Sequence, residues 1–240
     1  MDKSNSHYYM HSGDIIDRKK FESKEVVGSG NYGTVYRYDD DKVIKFANSR
    51  GDSNQYNAVS IIKNLSLPNF YKLYDVLSCT DGDVKTFGGT IARYYPSEDL
   101  DLFLMPSDYL LDNFNSLYNS MVLLGSSKIS IFDLNPRNVI CNSSGIYVID
   151  VDLYQQMMAA FPWDLSMRNC FALKRCLFYD LLLRNYFRHH FGEVEGSKSK
   201  LVDDAIYDLL NLSNKEDPMV FNATLSEYRY PIDYVKRKVR

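Results

Sequence analysis

No stretch of this sequence approaches the about 18 apolar residues of a membrane-spanning helix, and its first residues, MDKSNSHYYMHSGDIIDRKK, lack the apolar core of a signal peptide. The expectation is a soluble cytoplasmic chain without a membrane partner; secretion that needs no cleaved signal would leave no trace here. Cysteine is scarce. Cys79, Cys141, Cys170 and Cys176 show neither C-x-x-C pairing nor histidines at zinc-finger spacing, and their flanks are apolar. They read as buried free thiols in a reducing compartment, not as a disulfide scaffold or a zinc site. Charge of one sign is not in excess either. The 28 basic and 31 acidic residues give a formal charge of −3, too balanced for a duplex nucleic acid as the main partner. The one dense basic run, Lys236, Arg237, Lys238 and Arg240, reads as a solvated terminus. Internal repeats and low-complexity segments are lacking too.

What is present is a globular composition, 45% hydrophobic and rich in tyrosine and phenylalanine, in a chain of 240 residues, enough for one large domain or two small lobes. Residues 1–20 are polar with little periodicity and read as a lead-in. Strand-like runs follow at 21–27, 34–38 and 42–46, separated by glycine and aspartate turns, so an antiparallel meander is expected. Asp52 or Ser53 can cap a helix whose apolar positions Tyr56, Val59, Ile62 and Leu65 recur at three-residue steps before Pro68. Two more strand-like runs, 71–78 and 86–95, bring this half to five strands and one helix. The second half reads as mainly helical, with candidate helices at 108–124, 164–190 and 201–212. A small hairpin is expected over 139–149.

The stretch VVGSGNYGTVYRYDDDKVIKF, residues 26–46, carries G-x-G-x-x-G at Gly28, Gly30 and Gly33. A dinucleotide-binding fingerprint would lead into a helix, but Gly33 is followed by the strand-like Thr34-Val35-Tyr36. The stretch is therefore either a plain structural turn or a glycine hairpin whose backbone N–H groups can approach phosphate oxygens. Lys45 favours the second. Its alternation with Ile44 and Phe46 turns it to the opposite face of the strand, where an ammonium needs an anionic partner. Downstream, Asp133 and Asn138 lie five residues apart on a loop, and Asp150 follows twelve residues later at a strand end. Phosphoryl transfer to a hydroxyl requires such a set: a carboxylate for the acceptor proton, and an amide and a second carboxylate for magnesium.

The motifs resemble those of the protein kinase fold. Gly28-Ser29-Gly30-Asn31-Tyr32-Gly33-Thr34-Val35 matches G-x-G-x-x-G-x-V, Val43-Ile44-Lys45 is similar to V-A-I-K, and Asp133-Leu134-Asn135-Pro136-Arg137-Asn138 resembles D-L-x-x-x-N. The resemblance implies an α+β, bilobal fold with a 1–20 lead-in, a β-rich N-lobe over 21–95 (five antiparallel strands plus one helix) and a reduced, mainly helical C-lobe over 96–240. It implies ATP and Mg2+ as ligands, with Lys45 on the α- and β-phosphates, Asp133 orienting the acceptor hydroxyl, and Asn138 and Asp150 holding the metal. Val35 and Ala92 would line the adenine pocket, with the hinge near Tyr94 and Tyr95. The implied activity is transfer of the γ-phosphoryl group to a protein serine or threonine by a monomer whose partner is its substrate or an activating protein.

The departures carry information too. Ile131-Phe132 stands where the family has His-Arg, Asn135 replaces the usual lysine, and Asp150-Val151-Asp152 replaces DFG. Both aspartates point to the same side if extended, so either could reach a metal, and Asp150 is favoured because it follows the apolar strand Tyr147-Val148-Ile149. Only thirteen residues, 151–163, separate Asp150 from the next helical segment, too few for a full activation segment. In lacking the activation segment and in carrying Asp133-Leu134-Asn135, the chain resembles the minimal kinase effectors of bacterial pathogens. The glutamate expected to pair with Lys45 falls at Ala58, so Asp52, Asn57 or another carboxylate substitutes, or nucleotide alone holds the lysine. Two alternatives follow: a nucleotide-binding pseudokinase, and a small-molecule kinase of the aminoglycoside or choline type. Asp39 to Asp41 read as solvated turn residues and His189-His190 as a helix cap. Asp164 is read as an anchor of the catalytic loop or as an N-cap.

Overall fold

The structure is a computed structural model that describes residues 7–177 and 181, apart from 82, 101, 103, 104 and 106. In chain order the first half forms β1 (His7–Tyr9), β2 (Ile15–Asp17), β3 (Val26–Ser29), β4 (Gly33–Arg37), β5 (Lys42–Ala47), α1 (Ser53–Asn64), β6 (Leu73–Asp81) and β7 (Val84–Arg93). These strands make one curled antiparallel sheet of seven, in the order β2-β1-β6-β7-β5-β4-β3. The expected meander is β3-β4-β5, and α1 starts at Asp52, whose carboxylate accepts the Gln55 N–H at 2.7 Å.

Seven strands, not five, is a correction, and it falls on the residues read as a lead-in. β1 and β2 pair with each other, and Tyr9 pairs with Ser78 of β6. Each has three residues, of which only the middle one, Tyr8 or Ile16, is buried. A single inward side chain generates no visible alternation. Tyr8 packs on Phe46 with ring centroids 5.0 Å apart, and together with Ile16, Ile44, Leu77 and Ile91 they form a core on one face of the sheet.

The opposite face joins the larger core, which runs without a break into the second half. There α2 (Ser107–Ser126) buries Leu110, Phe114, Leu117, Met121 and Leu124, a single helical stripe, and α3 (Pro162–Lys174) buries Leu165, Cys170 and Leu173. Four short strands, β8 (Ile129–Ser130), β9 (Val139–Asn142), β10 (Gly145–Val148) and β11 (Gln155–Gln156), make two ribbons, β9 with β10 and β8 with β11. The halves are stitched at the backbone. Tyr71 N–H donates to the Val148 carbonyl at 2.8 Å, and Val148 N–H to the Asn69 carbonyl at 3.1 Å. The candidate helix 201–212, His189-His190 and the basic run at 236–240 lie outside the described residues.

Candidate active site

Site construction begins with β5, where alternation sends Ile44 and Phe46 into the outer core and Lys45 to the other face. Lys45 stands opposite Val35 on β4 and Thr90 on β7. The β3-β4 turn folds over this face. A Cβ on Gly33 would lie 2.7 Å from the Phe46 carbonyl oxygen and 3.0 Å from Lys45 Cε, so the sheet itself requires glycine there. At Gly28 and Gly30 a Cβ would meet nothing within 4 Å. Packing therefore gives no reason for those two glycines, and the space beside their backbone is open.

From the other half, β10 ends at Val148 and the chain turns at Asp150, whose φ of 65° lies in the left-handed region that non-glycine residues seldom adopt. The turn delivers two carboxylates to one ammonium. Asp150 Oδ2 lies 2.7 Å from Lys45 Nζ, and Asp152 Oδ2 lies 2.8 Å away. Burial opposes the charge on Lys45, yet the two aspartates outweigh it and hold the ammonium above its ordinary range. Burial, with the Asp150 carboxylate beside it, pushes Asp152 up to about 7, against the pull of Lys45. The carboxylates that face Lys45 are thus Asp150 and Asp152, both from the turn after β10. Asp52 is spent as the helix cap, Asn57 is exposed, and Ala58 is fully buried in the core.

The loop after β8 supplies the remaining groups. Asn135 Nδ2 donates to Asp133 Oδ1 at 2.7 Å, and Asn138 Nδ2 donates to the Asp133 carbonyl at 2.7 Å. With its nitrogen so engaged, Asn138 has its amide oxygen left to offer a cation. Asn169 of α3 anchors the start of the loop, accepting from Ile131 N–H at 3.1 Å and donating to the Ile129 carbonyl at 2.9 Å. Asp164 does neither of the jobs expected of it. It is exposed in the first turn of α3, where a negative charge suits the helix dipole.

These groups converge. A cleft of about 330 Å³ is lined by Gly28 to Gly33, Val35, Lys45, Asp133, Asn138 and Asp150, which are all the expected residues for phosphate, metal and acceptor. An adjoining cleft of about 290 Å³ shares Gly28, Val35, Lys45, Ile149 and Asp150 with it, and has Val27, Val43, Ile140, Tyr94 and Tyr95 on its walls. Ala92 is not on that wall. It pairs with Val43 across the sheet and is fully buried in the main core, so Val43 presents the aliphatic surface instead. Tyr94 lies under the Arg37 guanidinium, 3.5 Å from ring centroid to Cζ, and Tyr95 stacks on Tyr147 at 4.3 Å.

Sequence reasoning also passed over Arg137, which lines the larger cleft one residue before Asn138 and brings it a positive charge that Asn135 cannot. Among the described residues no group of three or more histidine, cysteine, aspartate or glutamate side chains could hold a metal ion. Magnesium is commonly held by one or two carboxylates together with substrate phosphates, and Asp150 with Asn138 fits that mode. Of the other features, Asp39 carries an ion pair to Lys42 at 2.9 Å within its turn, and all four cysteines are free thiols. No helix among the described residues is long and apolar enough to cross a membrane. No protein-family model and no curated protein matches the chain.

Proposed function

We propose that the chain is an ATP- and magnesium-dependent phosphotransferase of the protein kinase type, acting on a serine or threonine hydroxyl of a protein. One observation carries the reading: Lys45, Asp133, Asn138 and Asp150, drawn from 106 residues of chain, line a single cleft beneath a glycine turn that has open space at two of its glycines. The smaller cleft beside it, walled by five aliphatic side chains and three tyrosines, suits a planar base, and the larger one, with Gly30, Asp133, Arg137 and Asn138, is left for the triphosphate.

In this reading Lys45 binds α- and β-phosphate oxygens, and the tip of the glycine turn, Asn31 and Tyr32, closes over the β- and γ-phosphates, the Gly30 N–H being held by the Gly33 carbonyl at 3.0 Å. Asp150 and the amide oxygen of Asn138 hold the divalent cation, which when bound supplies charge neutralisation between the phosphates. Asp133, oriented by Asn135 and Asn138, accepts the proton of the acceptor hydroxyl as it attacks. Arg137 adds positive charge at the same cleft.

The test is transfer of label from γ-labelled ATP in the presence of magnesium, with Asp133→Ala and Asp150→Ala as comparisons. Each substitution is expected to lower transfer at least about 100-fold, the usual scale for a positioned general base or a metal ligand. Transfer that survives both changes overturns the reading. A second reading, a nucleotide-binding module without turnover, is favoured by Ala58 in place of a glutamate and by Ile131-Phe132 where the family has His-Arg. Magnesium-dependent thermal stabilisation by ATP without transfer to any protein acceptor would select it.

A further inference from the structure

The two carboxylates on Lys45 are not equivalent. The Asp150 side chain is 28% exposed and borders both clefts, whereas that of Asp152 is 6% exposed and borders neither. Asp152 is fixed through its backbone as well. Its carbonyl accepts from Gln55 Nε2 on α1, and its N–H donates to Asp150 Oδ1 at 3.2 Å. Four residues on, the Gln156 N–H donates to Asn54 Oδ1 at 2.9 Å, so the segment is tied to α1 twice. A carboxylate so enclosed cannot turn toward a ligand. Asp150 can, since part of it already faces the cleft.

We propose that Asp152 is the standing partner of Lys45, a positioning residue that keeps the ammonium aimed into the cleft and frees Asp150 to bind a divalent cation delivered with a nucleoside triphosphate. This rests on the phosphotransferase reading. With Asp150 as its sole partner, Lys45 would compete with the cation for the same oxygens, and each visit of Asp150 to the metal would strand a buried ammonium. Asp152 removes that conflict. Helix α1 cannot do so, because Ser53–Asn64 contains no acidic residue and grips the segment through the neutral amides of Asn54 and Gln55. The carboxylate comes from the far side of the cleft instead, two residues beyond the metal-binding aspartate.

The experiment titrates Mg2+ against binding of a non-hydrolysable ATP analogue for the wild-type chain, Asp152→Asn and Asp150→Asn, with metal-free binding measured in EDTA. Asp152→Asn is expected to raise the Mg2+ concentration at half-maximal binding about tenfold, the lower end of what a group behind a metal ligand contributes. Its metal-free affinity should stay within about threefold, well under the tenfold that marks 1.4 kcal/mol. Asp150→Asn should abolish the magnesium effect. Equal loss with and without magnesium in Asp152→Asn would mean a merely structural role and overturn the proposal.

A second measurement does not depend on nucleotide. Thermal unfolding at pH 8 of Lys45→Met combined with Asp152→Asn or with Asp150→Asn gives two double-mutant cycles. The coupling of Lys45 to Asp152 should exceed its coupling to Asp150; equal or reversed couplings overturn the proposal. A wild-type chain that binds no ATP analogue sinks the phosphotransferase reading, and the cycles still decide which aspartate holds the lysine.

Discussion

Gly30 and Gly33 sit three residues apart in one turn and answer to different demands. Gly33 begins β4 where it crosses close to β5, and the atom a side chain would strike first is the carbonyl oxygen of Phe46, part of a paired strand that cannot move without cost. Gly30 has open space around it and lines the cleft. Gly33→Ala is therefore expected to destabilise the protein by about 1–3 kcal/mol, as overpacking does. Gly30→Ala should leave the melting temperature unchanged, within the about 0.5 kcal/mol typical of open positions, and should weaken ATP binding. Melting curves and ATP titrations of the two variants check this. Equal melting shifts would mean that Gly30 serves the turn and not a ligand.

At the scale of elements, the N-terminal hairpin is what the sequence concealed. β1 and β2 cover the edge of β6 and close the outer core, with Tyr8 against Phe46 and Ile16 buried beside it. Tyr8→Ala removes a buried aromatic ring, a loss of about 3 kcal/mol, and should lower the melting temperature accordingly; a variant that melts with the wild type would show the hairpin to be dispensable. Longer elements were legible. The β3-β4-β5 meander announced itself through glycine and aspartate turns, α1 through its cap and three-residue steps, and α2 through tyrosines and leucines at helical spacing. Strands of three residues with one inward side chain carry no period to detect. The site follows the same logic. Lys45, Asp133, Asn138 and Asp150 could be singled out as candidates because each sits at a fixed offset within a local motif, and they line one cleft. Asp152 and Asn169 act through contacts made 107 and 38 residues away along the chain, at Lys45 and Ile131, and neither residue type signals such a role. Ala92, expected beside the adenine, is fully buried in the main core, a placement set by long-range packing that local sequence does not encode.

For the molecule as a whole, one core joins the halves, and that core holds acids kept neutral. Tyr71 and Tyr154 belong to it and are buried, and burial holds both phenols above their ordinary value. Cys170 belongs to it and Cys141 packs against it, and burial pushes both thiols up to about 12. Lys45 also titrates above its usual range, held by its two aspartates. The sign is the same for all five. In the unfolded chain the thiols lose protons near pH 8.5, the phenols near 10 and the lysine near 10.4, while the folded chain keeps them. Above pH about 8.5 the native state therefore binds more protons than the unfolded state, and stability falls as pH rises, by up to about 1.4 kcal/mol per pH unit for each group. Because these residues share one continuous core, they should be released in one transition. Melting temperature is expected to decline only slightly from pH 7 to 8, where Asp152 finishes releasing its proton, and to fall with increasing slope from pH 9 to 11. Tyrosinate absorbance should rise early for the exposed phenols and only at unfolding for Tyr71 and Tyr154. Replacing both with phenylalanine should flatten the descent above pH 10, and an unchanged slope in that variant would mean that the alkaline loss originates outside the shared core.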